Sequence, residues 1–307
     1  MKTPQKKESF RSMSRSLPGI PERIDVFPLP DLVPAGYRPG AVLFIDVLRA
    51  TTTMTAALAA GAEQVIPVME PAQALEMKRL LEESDPQKKG KILLGGERKG
   101  VRIEGFDLGN SPSAYTSERV RGKTILFSTT NGTRAILTFG RISALPPDNP
   151  PAAVGGGPSL RRQTAALPAE GRTRAFLGSF LNAAALAEKL RAFRSVAVVC
   201  AGTDLRYTEE DILLAGLLVS RLLRPETDPF SRPLLNVQAE TAKYLWESFL
   251  ESTSPERLEK DLCEKLLASR GGENLRRIRL QADIRDAARL DRIDRIAEYS
   301  LGRIRLS

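Results

Sequence analysis

The sequence predicts a three-layer α/β/α fold built on a mostly parallel, mixed sheet, with a helical C-terminal region. Three observations carry this. Continuous apolar runs such as Ala41 to Ile45 and Ser195 to Ala201 suit strands buried on both faces. Helix-prone stretches separate these runs at the spacing of βαβ units. No apolar run reaches the roughly 18–20 residues that span a bilayer, so no membrane partner is expected.

Along the chain, residues 41–46 form the first expected strand, followed by a helix to Ala60 and a stop at Gly61. Gln64–Val68 is a second strand. Pro71–Glu83 reads as a helix with Pro71 near its start. Lys91–Leu94 is a third strand, ending in Gly95-Gly96. A polar loop runs from Gly96 to Pro112, with a short helix to Arg121 after it. Thr124–Ser128 is a strand and Asn131–Phe139 a helix with Asn131 at its N-cap. Arg174–Ser179 (strand), Asn182–Phe193 (helix), Ser195–Ala201 (strand) and Glu209–Leu223 (helix) continue the alternation. From Leu234 the chain is mainly helical, with Leu245, Trp246 and Phe249 expected in the core. Short strands are expected near Ile296–Tyr299 and Arg303–Leu306.

Two segments stand apart. Residues 1–24 are rich in Ser, Lys and Arg and read as a disordered basic arm without the apolar stretch of a secretory signal. Residues 146–173, with Pro146-Pro147, Pro150-Pro151 and Gly155-Gly156-Gly157, read as an inserted surface loop. The remainder, 25–307, reads as one domain.

Composition narrows the chemistry. The 307 residues carry a net charge of +9, which suits nucleic acid, a membrane surface or an anionic substrate. Aromatics are only 6%, and neither zinc-finger spacing nor an aromatic RNA-binding motif is present, so nucleic acid is not the expected partner. The two cysteines, Cys200 and Cys263, give no disulfide framework and suit a reducing cytoplasm. The sequence leaves homo-oligomerisation open.

Histidine is absent. That excludes Ser-His-Asp and Cys-His nucleophilic sites and histidine metal ligands. A metal site would be built from oxygens, which favours Mg²⁺, Mn²⁺ or Ca²⁺ over Zn²⁺.

In parallel α/β sheets, ligands bind beyond the carboxyl ends of the strands. The residues expected there are Asp46, Arg49 and Thr51-Thr52-Thr53; Glu97, Arg98, Asp107, Asn110 and Ser111; Ser128 to Thr133; Ser179 and Asn182; and Gly202-Thr203-Asp204. Hydroxyls and N–H groups at a helix start, with arginine beside them, are what a phosphate oxygen needs. Carboxylates in the same place repel a bare anion but suit a divalent cation bridging protein and phosphate. Thr51 to Thr53 are equally readable as caps and turns, and an N-cap with a turn is the lesser alternative for the Ser128–Gly132 segment. Thr208 with Asp211 fits a capping box. Cys200 to Arg206 has the C-x₅-R spacing of cysteine-dependent phosphatases, but Tyr207 and Asp204 break that pattern, and a buried hydrophobe is the better reading of Cys200. No P-loop and no G-x-G-x-x-G is present.

Taken together, the segments Ile45-Asp46-Val47-Leu48-Arg49-Ala50-Thr51-Thr52-Thr53, Gly96-Glu97-Arg98 with Gly105-Phe106-Asp107-Leu108-Gly109-Asn110-Ser111-Pro112, Thr129-Thr130-Asn131-Gly132-Thr133, Gly178-Ser179-Phe180-Leu181-Asn182-Ala183 and Cys200-Ala201-Gly202-Thr203 resemble the 2-phosphosulfolactate phosphatase family, in its order and over about residues 25–223. The C-terminal resemblance is faint, around Asp283 to Asp294. The resemblance implies a three-layer α/β/α fold and Mg²⁺-dependent hydrolysis of 2-phospho-3-sulfolactate to 3-sulfolactate and phosphate, a step of coenzyme M biosynthesis in methanogens. On this expectation Asp46, Glu97 and Asp107 ligate Mg²⁺ or activate water, with Asp46 and Arg49 catalytic. Arg49, Thr51, Thr52, Thr129, Thr130 and Asn131 are expected to hold the phosphoryl group, and Arg98, Ser179, Asn182 and Thr203 to bind the other acidic ends of a small anionic phosphorylated substrate, with Asn110 and Gly132 as further substrate-binding residues. A phosphatase of another 2-phosphohydroxy acid and a non-catalytic phosphometabolite-binding protein are the alternatives.

Overall fold

A computed structural model describes residues 19–144, 173–223 and 232–307. Most of the basic arm and of the Pro/Gly-rich insertion therefore lies outside the described residues. The arm expected over 1–24 ends early, because Arg23 and Ile24 already belong to a strand.

The strands are β1 (Arg23–Phe27), β2 (Ala41–Ile45), β3 (Gln64–Pro67), β4 (Ile92–Arg98), β5 (Val101–Arg102), β6 (Thr124–Ser128), β7 (Arg174–Gly178), β8 (Ser195–Cys200), β9 (Leu234–Leu235), β10 (Ala297–Ser300) and β11 (Arg303–Leu306). The helices are α1 (Ala50–Ala59), α2 (Pro71–Ser84), α3 (Ser117–Val120), α4 (Gly132–Ala144), α5 (Ala183–Leu190), α6 (Glu209–Leu222), α7 (Val237–Glu251), α8 (Leu258–Ala268), α9 (Arg270–Arg277) and α10 (Gln281–Ala287).

All eleven strands join one mixed sheet in the order β5-β4-β6-β3-β11-β10-β7-β2-β8-β1-β9. Two parallel sets, β3-β6-β4 and β7-β2-β8-β1-β9, flank the antiparallel β10–β11 hairpin. The hairpin pairs antiparallel with both sets, so they run in opposite directions. A twist of roughly 20–25° per strand accumulates to about 100° or more from β2 to β6. The carboxyl end of β2 and the start of α4 are in contact, at Asp46 and Gly132.

Side-chain alternation explains the layers. In β2, Leu43 and Ile45 face a core shared with α5, α6 and α7, while Val42 and Phe44 face a core shared with α1 and α4. In β6, Ile125 and Phe127 join that second core, and Leu126 packs with Ala74 of α2. Both faces of the sheet are thus covered, as the apolar runs required. Trp246 and Phe249 are core residues, but Leu245 is 39% exposed, because α7 buries only one face. β4 continues through Gly95 and Gly96 to Arg98 rather than ending at the glycines. At Gly96 (φ +139°) a β-carbon would lie 2.0 Å from the Ser128 carbonyl oxygen, so only glycine lets β4 pass β6 there.

Candidate active site

The turn from Asp46 to Arg49 connects β2 to α1 and carries the densest chemistry. Asp46 is 8% exposed, and its Oδ1 accepts the Ala50 N–H at 3.2 Å. A β-carbon on Gly132 would stand 2.6 Å from Asp46 Oδ2 and 2.5 Å from Ala50 Cβ, so glycine is required where α4 starts against this carboxylate. Burial pushes the Asp46 pKa up to about 7, with the Glu97 and Glu210 carboxylates adding to the rise and the Ala50 N–H and Arg49 opposing it.

Glu97, at the end of β4, uses both oxygens to hold loops: Oε1 accepts the Thr130 N–H at 2.9 Å and Oε2 the Gly100 N–H at 2.6 Å. It thereby fixes the entry to α4 beside Asp46. The backbone N–H groups of Asn131 and Gly132 meet no acceptor among the described residues, and Thr130 is exposed. Unpaired N–H groups at the start of a helix are suited to receive an anion. Asn131 stands at the N-cap position as expected, but the capping hydroxyl is Thr129 Oγ1, which accepts the Thr133 N–H at 3.1 Å. Thr129 is 2% exposed and acts as a cap.

Arg49 is buried. Its Nη1 donates to Asp283 Oδ2 at 2.6 Å and its Nη2 to the Gly100 carbonyl at 2.7 Å. Asp283 was not expected from the strand-end rule, because it comes from α10. The available signal was its position among the apolar residues of that helix: Asp283, Ile284 and Ala287 are all buried. A carboxylate on a buried helix face implies a charged partner.

Several expected ligands have other duties. Thr51 Oγ1 donates to the Gly178 carbonyl at 2.6 Å, Thr52 Oγ1 to the Val47 carbonyl at 2.8 Å and Thr53 Oγ1 to the Asn110 carbonyl at 3.1 Å. These hydroxyls are buried and brace the turn, which is the capping-and-turn arrangement. Arg98 donates to the carbonyls of Glu97 and Met69 and to Ser128 Oγ. Ser179 and Asn182 close a capping box on each other, fully buried. Thr203 pairs through its backbone with Arg206 in a tight turn. Asn110 is buried beside α1, and its Oδ1 has no hydrogen-bond partner among the described residues.

Asp107 does not join Asp46 and Glu97. Its Oδ2 accepts the Leu94 N–H at 2.8 Å from the middle of β4 and pairs with Lys78 at 3.3 Å. The three carboxylates expected together therefore do not converge: Asp107 stands apart from the neighbouring pair Asp46 and Glu97. Among the described residues, no three metal-ligating side chains meet around one point.

The Thr208–Asp211 capping box also fails to form. Asp211 is pulled instead to the β2–α1 turn: Oδ1 accepts the Val47 N–H at 2.9 Å and Oδ2 the Gly202 N–H at 3.1 Å. Burial, with Asp46 and Glu210 nearby, holds its pKa well above the ordinary carboxylate value. Cys200 is fully buried at the end of β8. Burial, Asp211 and Glu210 push its thiol pKa up, so it is an inert core residue rather than a nucleophile.

With this geometry established, comparison with known proteins gives one consistent outcome. The sequence profile of the family described as 2-phosphosulpholactate phosphatase matches residues 27–144 and 163–302. A protein of Caldicellulosiruptor saccharolyticus named probable 2-phosphosulfolactate phosphatase is 34% identical over 83% of this chain and 87% of its own length. One of Symbiobacterium thermophilum with the same name is 34% identical over 89% of this chain and 97% of its own length. One of Thermotoga maritima, also so named, is 36% identical over 75% and 79%.

Proposed function

Because the chain belongs to the 2-phosphosulpholactate phosphatase family, we propose that it is a phosphatase that hydrolyses 2-phospho-3-sulfolactate to 3-sulfolactate and phosphate at the Asp46–Gly132 cleft. The observation that carries the reading to this place is the contact of a buried, high-pKa carboxylate with the open start of α4. The N–H groups of Asn131 and Gly132 bind phosphoryl oxygens, and the dipole of α4 favours the anion. Arg49 supplies the fixed positive charge beside it. The helix start and the arginine act on charge that develops as the P–O bond breaks.

Two carboxylates next to a phosphate seat need a proton or a cation between them. Mg²⁺ is commonly held by one or two carboxylates, with water and substrate phosphate completing its shell. The all-oxygen pair Asp46 and Glu97 fits that habit, since Asp46 keeps Oδ2 clear of any main-chain donor. In this reading Asp46 and Glu97 would hold the ion, which neutralises phosphate charge when bound. Without the ion, burial holds the Asp46 pKa up at about 7, and a bound cation would favour its carboxylate form. Both thiols are unpaired, which suits a reducing cytoplasmic setting, and no helix among the described residues is long and apolar enough to cross a membrane.

A substrate panel tests the assignment. Phosphate release should be fastest with 2-phospho-3-sulfolactate and slower with 2-phosphohydroxy acids lacking the sulfonate. Equal rates across the panel would reject the sulfonate-bearing substrate, and ligand-induced stabilisation with no turnover would reject the enzyme.

A further inference from the structure

Asp283 ties the C-terminal helices to the cleft through one oxygen. Its Oδ2 accepts Arg49 Nη1 at 2.6 Å and Ser111 Oγ at 2.9 Å. The side chains of Arg49 and Asp283 are each 3% exposed. Burying such a pair costs desolvation that packed apolar groups would avoid, so it is poorly explained as a device for stability alone. Its geometric effect is definite. With Nη1 on Asp283 and Nη2 on the Gly100 carbonyl, the guanidinium cannot swing, and its other N–H groups meet no acceptor among the described residues. A second contact reinforces the seat from the same region. A β-carbon on Gly100 would lie 2.6 Å from Ile278 Cδ1, so the segment before α10 packs directly on the loop that receives Arg49.

We propose that Asp283 is a positioning residue that orients Arg49 toward the phosphoryl group, so that α10 completes a site otherwise built from the N-terminal two thirds of the chain. This rests on the reading of Arg49 as an anion-binding group of a phosphatase. Asp283 touches no substrate; it acts through Arg49.

The test is a double-mutant cycle in the full chain. Asp283→Asn should lower kcat/KM for phosphate release by about 10- to 100-fold in the wild-type background, and by no more than about twofold in Arg49→Ala. Ser111→Ala, which leaves the Arg49–Asp283 pair in place, should change it less than about threefold. Equal losses from Asp283→Asn in both backgrounds, or a full loss from Ser111→Ala, would overturn the proposal in favour of a purely structural role. Where Asp283→Asn does not fold, Asp283→Glu, which keeps the charge but displaces it, takes its place with the same expectation. If the wild type releases no phosphate, the enzyme reading fails but this one is still decided by inorganic phosphate binding in a calorimeter. Affinity should fall about tenfold in either single variant and no further in the double. A wild type that does not bind phosphate, or additive losses, would refute it.

Discussion

Asp46 Oδ2 occupies the space in which a side chain on Gly132 would have to stand: a β-carbon there would be 2.6 Å away. Gly132→Ala must therefore push the start of α4 off the carboxylate. The expected result is a loss of about 1–3 kcal/mol of stability from overpacking and a fall of at least about tenfold in kcat, because the N–H groups move with the helix. Urea unfolding and steady-state kinetics on the variant measure both.

Thr52 separates bracing from binding. Its hydroxyl donates to the Val47 carbonyl and is fully buried. Thr52→Val keeps the shape and removes the donor, so it should cost about 1–3 kcal/mol of stability and leave KM within about twofold. A KM that rises tenfold at unchanged melting temperature would return Thr52 to the substrate.

Thr52 also marks what the sequence could and could not tell. Chain order and apolar runs located β2, β3, β4, β6, β7, β8, β10 and β11 and the helices α1 to α6, because burial on two faces and helical periodicity are local signals; the short strands β5 and β9 and the separate helices α7 to α10 were not resolved. Asp46, Glu97, Asn131 and Gly132 were legible at strand ends for the same reason. A run of three hydroxyls, however, reads identically whether it faces a phosphate or the carbonyls of its own turn. Asp107 misled because residues in a loop after a strand can fold back along it, here to the Leu94 N–H. Asp283 and the role of Asp211 were hidden because both reach the turn from distant segments, α10 and α6. Strand β1 was missed because Arg23 and Asp25 interrupt its apolar pattern; in the fold Asp25 is ion-paired to Arg23 at 2.6 Å.

The buried acids make stability depend on pH in a defined direction. Asp46, Glu210 and Asp211 have folded-state pKa values raised by burial, Asp46 to about 7. The folded state thus binds more protons than the unfolded chain, whose carboxyls titrate near about 4. Their contribution is fully present below pH about 4 and is lost as pH rises through the folded values. The metal-free protein should melt at lower temperature at pH 7.5 than at pH 5.5, and Asp211→Asn should flatten that slope. A melting temperature that rises over this interval and is unaffected by the variant would contradict the assignment.

Asp107 and Glu97 should part company in their metal response. Asp107→Asn is expected to leave the Mg²⁺ concentration for half-maximal activity unchanged, whereas Glu97→Gln should raise it by roughly tenfold or more. Titration of Mg²⁺ into each variant distinguishes them, and equal shifts would restore Asp107 to the site.

In the proposed function, Asp46 works with a divalent cation on a phosphate ester at the start of α4. Phosphate release from 2-phospho-3-sulfolactate, measured with Mg²⁺, with chelator and with Asp46→Asn, addresses it most directly. Turnover is expected only for the unaltered chain with Mg²⁺, with a fall of at least about 10³-fold in each of the other two. Equal release under all three conditions would contradict it.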